Sequence, residues 1–309
     1  MKPSTQLIAI QKASGMTQNT LAQEIGVSFV ALNRWINGDV VPRAAAQQRI
    51  DALYSRYVHR VATDDTALLA AKKSFIKKLA IKNSGVVETI LESPDLSQQY
   101  ELSLTYHTNR LEGSTLTEHE TAIVLFENAT LPDKTLVEQL EAKNHQTALR
   151  AMFRHIRENS KVDEALILQL HGILMNGIRA DAGRYRTHGV RIVGTFVPTA
   201  NPIKVPLLME AFGKKLTKRI PADVVRFVAE THAEFEQIHP FSDGNGRIGR
   251  IIANALLLKA DHPPAVITQN IRRDYMSALS NAQLAGDFTP LEHIFADAIL
   301  EGQNILDRK

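Results

Sequence analysis

Twelve consecutive residues, His239-Pro240-Phe241-Ser242-Asp243-Gly244-Asn245-Gly246-Arg247-Ile248-Gly249-Arg250, bring together an imidazole, a carboxylate, a glycine-rich turn and two guanidinium groups. Gly244, Asn245 and Gly246 tolerate positive φ, so the turn can aim successive backbone N–H groups at one point. A helix that starts there adds its positive end, and the two together make a site for a phosphate chain. Arg247 and Arg250 are three apart and share a helical face, with paired donors suited to phosphate oxygens. Asp243 offers a hard oxygen ligand for a Mg²⁺ shared with phosphates. His239 sits where a helix ends and can take a proton from an attacking hydroxyl. Taken singly, each has an ordinary structural use. Together they supply a base, a cation ligand and an anion nest.

The flanking sequence supplies elements to hold this loop. Pro221–Gln237 and Gly249–Lys259 both read as amphipathic helices, so Pro240–Gly246 is a short helix-to-helix connection. Helical spacing recurs at about 95–109, 117–129, 133–158, 163–177, 203–219, 221–237, 245–259 and 271–284. Gly189–Pro198 is the one strand-like segment, short and β-branched with a central glycine, and predicts a β-hairpin. The fold class expected is all-α: a helical bundle with one hairpin, plus a small N-terminal helix-turn-helix domain. The boundaries expected are 1–60 for that small domain, 61–94 for a helical linker and 95–309 for the bundle.

In the first sixty residues, seven basic side chains stand against three acidic ones, an excess of four where the whole chain has a net charge of +3. A basic module of this kind can attract nucleic acid. Within it, Thr17 can cap a helix carrying Leu21, Ala22 and Ile25. Gly26 permits a turn, and Ser28 can cap a second helix with Val30, Leu32 and Trp35 available for packing. The segment Ser14–Asn37 resembles the Cro/repressor-like helix-turn-helix family. The resemblance implies DNA contact through Thr17, Gln18, Ser28, Phe29, Ala31, Asn33 and Arg34, with the second helix in the major groove. The absence of cysteine excludes a disulfide framework, a thiolate zinc site and a cysteine nucleophile. The apolar stretch Leu7–Ile10 is too short for a signal peptide, and no run is long enough for a membrane span. A cytoplasmic protein is therefore expected.

The twelve-residue loop resembles the signature HxFx(D/E)GNGRxxR of the Fic family of nucleotide-transferring enzymes, with every defined position matched, and the resemblance extends over roughly residues 95–300. It implies a helical bundle with a flap hairpin, and transfer of AMP from ATP to a Ser, Thr or Tyr hydroxyl of a protein. By the same resemblance His239 deprotonates the hydroxyl, Asp243 holds Mg²⁺ on the ATP phosphates, Gly244, Asn245 and Gly246 cradle phosphate oxygens, Arg247 binds the phosphate chain and Arg250 pairs with the γ-phosphate. Val193, Gly194, Thr195 and Phe196 would form the flap over nucleotide and target, and Tyr275 would stand near the base.

Thr108-Asn109-Arg110-Leu111-Glu112-Gly113 matches the family's inhibitory pattern (S/T)xxxE(G/N). Thr108 and Glu112 are four apart on one helix face, within about 102–113. The expectation is a bidentate ion pair between Glu112 and Arg250 that keeps the arginine from the γ-phosphate. Relatives also transfer UMP or phosphocholine, remove AMP, or dimerise. An alternative is a DNA-binding regulator that uses the Fic fold to sense nucleotide, and a third is a toxin–antitoxin-like unit that represses its own operon.

Overall fold

The computed structural model describes residues 3–38, 40–54, 60–127, 129–159, 161–192 and 197–308. Its helices in chain order are α1 Pro3–Ser14, α2 Gln18–Ile25, α3 Phe29–Ile36, α4 Ala44–Tyr54, α5 Arg60–Lys82, α6 Val86–Glu92, α7 Pro94–Glu112, α8 Glu118–Ala122, α9 Leu136–Asn159, α10 Glu164–Leu174, α11 Val205–Leu216, α12 Val224–Ile238, α13 Asn245–Lys259, α14 Arg272–Ala285 and α15 Thr289–Leu306. The chain divides into two compact units, Met1–Ala71 and Lys72–Lys309. No helix among the described residues is long and apolar enough to cross a membrane.

In the first unit, Thr17 and Ser28 accept hydrogen bonds from the N–H groups of Thr20 and Ala31, so each hydroxyl starts a helix. Gly26 turns the chain between α2 and α3 in the left-handed region (φ 75°). A side chain there would also strike the Arg49 guanidinium, which donates to the Ile25 carbonyl. Leu21, Ala22, Ile25, Leu32 and Trp35 close on Leu7, Ile10, Ile50 and Leu53 from α1 and α4. One sequence assignment changes. Val30 is 66% exposed, whereas Ala31 packs partly against the core. Leu32 and Trp35 set the inward direction of α3; Ala31 shares that side and Val30 does not.

In the second unit α13 is the central helix. Thirteen of its fifteen residues are buried, as expected of a helix enclosed on every side. The helices α7, α9, α10 and α12 pack around it. The stretch expected as a linker up to residue 94 contributes to this unit: Ile76, Leu79, Val86, Val87 and Ile90 are buried, and Asn83 donates to Gln303 at 2.6 Å. Two features differ from the helices expected. Where a helix is expected over 117–129, the described residues form α8 followed by a π turn, Ile123–Glu127, in which the Leu125 carbonyl accepts from Lys143. The sequence reading places no helix at 289–306, where α15 runs. Pro290 lies at its first turn, where no N–H is needed, and Gly302 lets α15 touch the backbone at Pro264.

No strand is assigned among the described residues, so the expected β-hairpin is absent there. Val193, Gly194, Thr195 and Phe196 lie outside the described residues. The flanks Gly189–Ile192 and Val197–Pro198 are irregular, and a side-chain bond from Thr199 to the Val190 carbonyl (2.8 Å) joins them.

Candidate active site

The loop 239–250 is held by buried polar contacts. Asn245 accepts from the Phe241 N–H and donates to the Phe241 carbonyl, both at 2.9 Å, and so fixes the turn from within. The side-chain amide of Asn245 is therefore committed to the loop, and its backbone N–H is the group left for the expected phosphate cradle. Phe241 is fully buried and stacks on His171, with ring centres 3.6 Å apart. The Gly183 N–H donates to His171 Nδ1, so Nε2 carries the hydrogen and donates to the Asp243 carbonyl at 3.1 Å. Burial pushes His171 down to about 4, so it stays a neutral strut. The Arg186 guanidinium is buried and donates to the carbonyls of His188, Ala200, Ile238 and His239. It ties the end of α12 to the segment that would carry the flap. Neither residue belongs to the loop string, so neither role was visible in it.

His239 follows α12 in the left-handed region (φ 51°, ψ 61°), a costly conformation that this network holds in place. Its Nδ1 lies 3.1 Å from the Glu236 carbonyl, which can only accept. Nδ1 therefore carries the hydrogen, and Nε2 keeps its lone pair. Burial lowers the pKa of His239 against the opposing pull of that carbonyl, and nearby Arg186 adds to the lowering. The imidazole is thus neutral near pH 7, as a proton acceptor requires.

Next to it α13 opens without a side-chain cap. Gly244 is left-handed (φ 79°), and the first intrahelical bond is from the Ile248 N–H to Gly244. The N–H groups of Asn245, Gly246 and Arg247 precede that bond and form the positive end of the helix. The Glu112 carboxylate occupies the space that a Cβ on Gly246 would need. A negative group already sits where the sequence predicts phosphate.

Arg250 divides its donors among three partners: Nε to Thr108 Oγ1 at 2.7 Å, Nη2 to Glu112, and Nη1 towards the Tyr275 hydroxyl at 3.4 Å. The pairing with Glu112 is therefore single rather than bidentate, because Thr108 takes Nε. Burial alone would raise the Glu112 carboxyl. The charges of Arg250, Arg247 and Arg272 outweigh it and hold Glu112 below its ordinary value. Arg247 shares its helix with Arg250 but has other partners. It donates to Glu141 at 2.7 Å and lies 3.5 Å from Asp243. Tyr275 is placed otherwise than expected: it is 1% exposed, and its hydroxyl reaches His232 at 2.6 Å as well as Arg250. It supports the arginine and presents no open ring face to a base.

Asp243 is half exposed, and its Oδ1 accepts from the Gly244 N–H. No cluster of three or more metal-ligating side chains occurs among the described residues. One open carboxylate beside an anion site fits a Mg²⁺ whose other ligands are phosphate oxygens and water.

Residues 161–257 match the Fic/DOC family, and residues 9–51 match the family described as helix-turn-helix. The chain carries a Fic domain and an N-terminal helix-turn-helix domain. The Fic domain is similar to "Protein adenylyltransferase Fic" of Nematostella vectensis, 33% identical over 191 residues, covering 60% of this chain and 44% of the relative. It is also similar to "Protein adenylyltransferase fic-1" of Caenorhabditis elegans, 30% identical over 189 residues, covering 60% and 37%. The chain spans less than half the length of these relatives. Among solved structures, a Fic-1 fragment from C. elegans aligns with TM-score 0.68 at 22% identity, covering 93% of this chain and 84% of that one. A Fic-domain signaling protein from Bacteroides thetaiotaomicron aligns with TM-score 0.62 at 21% identity, covering 74% and 95%. These two structures share the fold of the Fic domain.

Proposed function

We propose that this protein is an adenylyltransferase that moves AMP from ATP to a hydroxyl group of a protein, held off by Glu112 on its own α7. The observation that carries this reading is the His239 imidazole, whose Nδ1 is committed to a carbonyl and whose Nε2 has no partner among the described residues, beside an uncapped helix start that already holds a carboxylate. The names of the relatives support AMP as the transferred group.

Nε2 of His239 takes the proton of the target hydroxyl, whose oxygen attacks the α-phosphorus as pyrophosphate leaves. The N–H groups opening α13 and the Arg247 guanidinium face the negative charge that grows on the phosphate oxygens, the kind of stabilisation that lowers such barriers most. Asp243 would hold Mg²⁺, which when bound neutralises phosphate charge. With Glu112 seated over Gly246 and paired to Arg250, the γ-phosphate loses its place, and a misplacement of about 1 Å costs roughly a hundredfold in rate. The donor is read directly by incubating the Glu112→Gly protein with Mg²⁺ and each nucleoside triphosphate, followed by intact-mass analysis. Addition of AMP is expected. Addition of UMP alone, or of nothing, would overturn the assignment.

The first unit is proposed to bind DNA through α3. Phe29, Val30 and Arg34 are exposed there and offer apolar contact to a thymine methyl group and paired donors to guanine. The Thr17 and Ser28 hydroxyls cap helices and leave phosphate contact to N–H groups and to Gln18.

A further inference from the structure

Glu236 lies on α12 three residues before His239, is 5% exposed, and has no role in the chemistry above. Its Oε1 has no hydrogen-bond partner among the described residues. Its Oε2 lies 3.7 Å from His239 Nδ1. A buried carboxyl left unpaired costs about 1–3 kcal/mol, so its presence needs a reason that a leucine at this position would not supply.

The surroundings are built to admit it. A Cβ on Gly249 would lie 2.6 Å from Glu236 Oε1 and 3.0 Å from His232 Nδ1, so only glycine leaves room for the carboxyl beneath α13. The Tyr275 hydroxyl accepts from Arg250 and donates to His232 Nε2, which places the His232 hydrogen on Nδ1, facing the same space. The charged and titratable groups around Glu236 are thus His232 and His239 on its own side, Arg250 on α13, Tyr275 on α14 and Glu112 on α7. Burial dominates and pushes the carboxyl up to about 8, opposed by Arg250 and reinforced by Glu112. His232 is driven down to about 3, chiefly by burial, and stays neutral. Glu236, 3.7 Å from His239, thus changes charge just above neutral pH.

We propose that Glu236 is a positioning residue for His239, holding the imidazole from its Nδ1 side and balancing the positive charge that forms when Nε2 receives the target's proton. The proposal rests on the adenylyl-transfer reading for its consequence but not for its geometry. In the transfer step the hydroxyl proton moves to Nε2. The oxygen forms a bond to the α-phosphorus as the bond to pyrophosphate breaks, and the electron pair leaves with pyrophosphate. The imidazolium then presents Nδ1–H to the Glu236 carbonyl and, at 3.7 Å, to its carboxyl oxygen. An ionised carboxyl there favours the imidazolium and makes His239 the stronger base. Burial does most to keep the carboxyl protonated, and the charge of Glu112 adds a smaller push in the same direction.

The test uses the full chain in three forms, with Glu236, with Glu236→Gln and with Glu236→Met, the last guarding against a fault caused by a buried amide. Imidazole resonances are followed by NMR from pH 5 to 9.5, with the His239 signal identified by its loss in His239→Ala. With Glu236 the His239 signal is expected to show a second inflection near pH 8, absent from both variants. In a Glu112→Gly background, AMP transfer is expected to rise about tenfold between pH 7 and 9 with Glu236, the effect of roughly one unit in the strength of the base. It stays flat with Gln or Met, and KM for ATP is unchanged. An inflection that persists in both variants, or identical pH profiles in all three forms, overturns the proposal. If no form transfers AMP while the inflection depends on Glu236, the adenylyl-transfer reading fails and the coupling to His239 stands.

Discussion

At the scale of single residues, the proposed roles separate groups that act from groups that hold. Asp243 is half exposed and holds little of the fold, whereas Asn245 is buried and both ends of its amide are used on Phe241. Asn245→Ala strands a buried N–H and a buried carbonyl, each worth about 1–3 kcal/mol. It is expected to lower both the melting temperature and transfer. Asp243→Ala is expected to abolish metal-dependent transfer while leaving the melting temperature within about 2 °C of the parent, since exposed positions usually move stability by under about 0.5 kcal/mol. Calorimetry on the two variants checks this, and equal melting temperatures would contradict the division. The residues proposed to act were legible as candidates because they lie within one loop or at helical spacing. Their partners were not. Glu141 meets Arg247, and His171 meets the Asp243 carbonyl, across more than seventy residues of chain, and no local pattern encodes such a meeting. Glu236 was visible as a residue of α12, but its closeness to the base depends on how His239 turns in the left-handed region.

At the scale of elements, helices with sharp start signals and a clear apolar period were readable, and elements defined by contact with others were not. The capped start of α3 and the uncapped start of α13 both follow from their first residues. The interior of α15 does not. Its Tyr100 contact, its bond from Val266 to the Ala298 carbonyl and its crossing with Pro264 all come from distant segments. Gly302 makes that crossing possible, since a Cβ there would run into the Pro264 carbonyl. Overpacking of this kind costs about 1–3 kcal/mol or more, although alanine is otherwise the better helix former. Gly302→Ala is therefore expected to lower the melting temperature by roughly 3–8 °C. An unchanged or raised melting temperature would show that the two backbones can part at no cost.

At the scale of the whole molecule, buried imidazoles shape the response to acid. His145 and His232 are held down to about 3, and His171 and His262 to about 4, in every case chiefly by burial. In the unfolded chain each would titrate near 6.5. Between these values the unfolded chain binds more protons, so the contribution to stability is full above about pH 6.5 and is lost as pH falls towards 4. Each imidazole contributes up to about 1.4 kcal/mol per pH unit. Calorimetry at constant ionic strength should show the melting temperature falling steadily from pH 7 to pH 5. A flat profile would mean that these sites admit water and protonate without unfolding. The two motif-bearing segments, 9–51 and 161–257, were legible in outline from charge and motif. The place of residues 72–94 in the second unit was not, because their buried face is recognisable only once Gln303 and the helices around it are in position.

The brake and the base are tested together by one measurement: transfer of label from α-³²P-ATP onto protein by the parent, by Glu112→Gly, and by Glu112→Gly combined with His239→Ala, with ATP affinity measured alongside. Labelling by Glu112→Gly is expected to exceed the parent by roughly a hundredfold, the cost of a misplaced reacting group. The double variant should fall to background while still binding ATP. Equal labelling by the parent and Glu112→Gly, or undiminished labelling without the imidazole, would contradict the account.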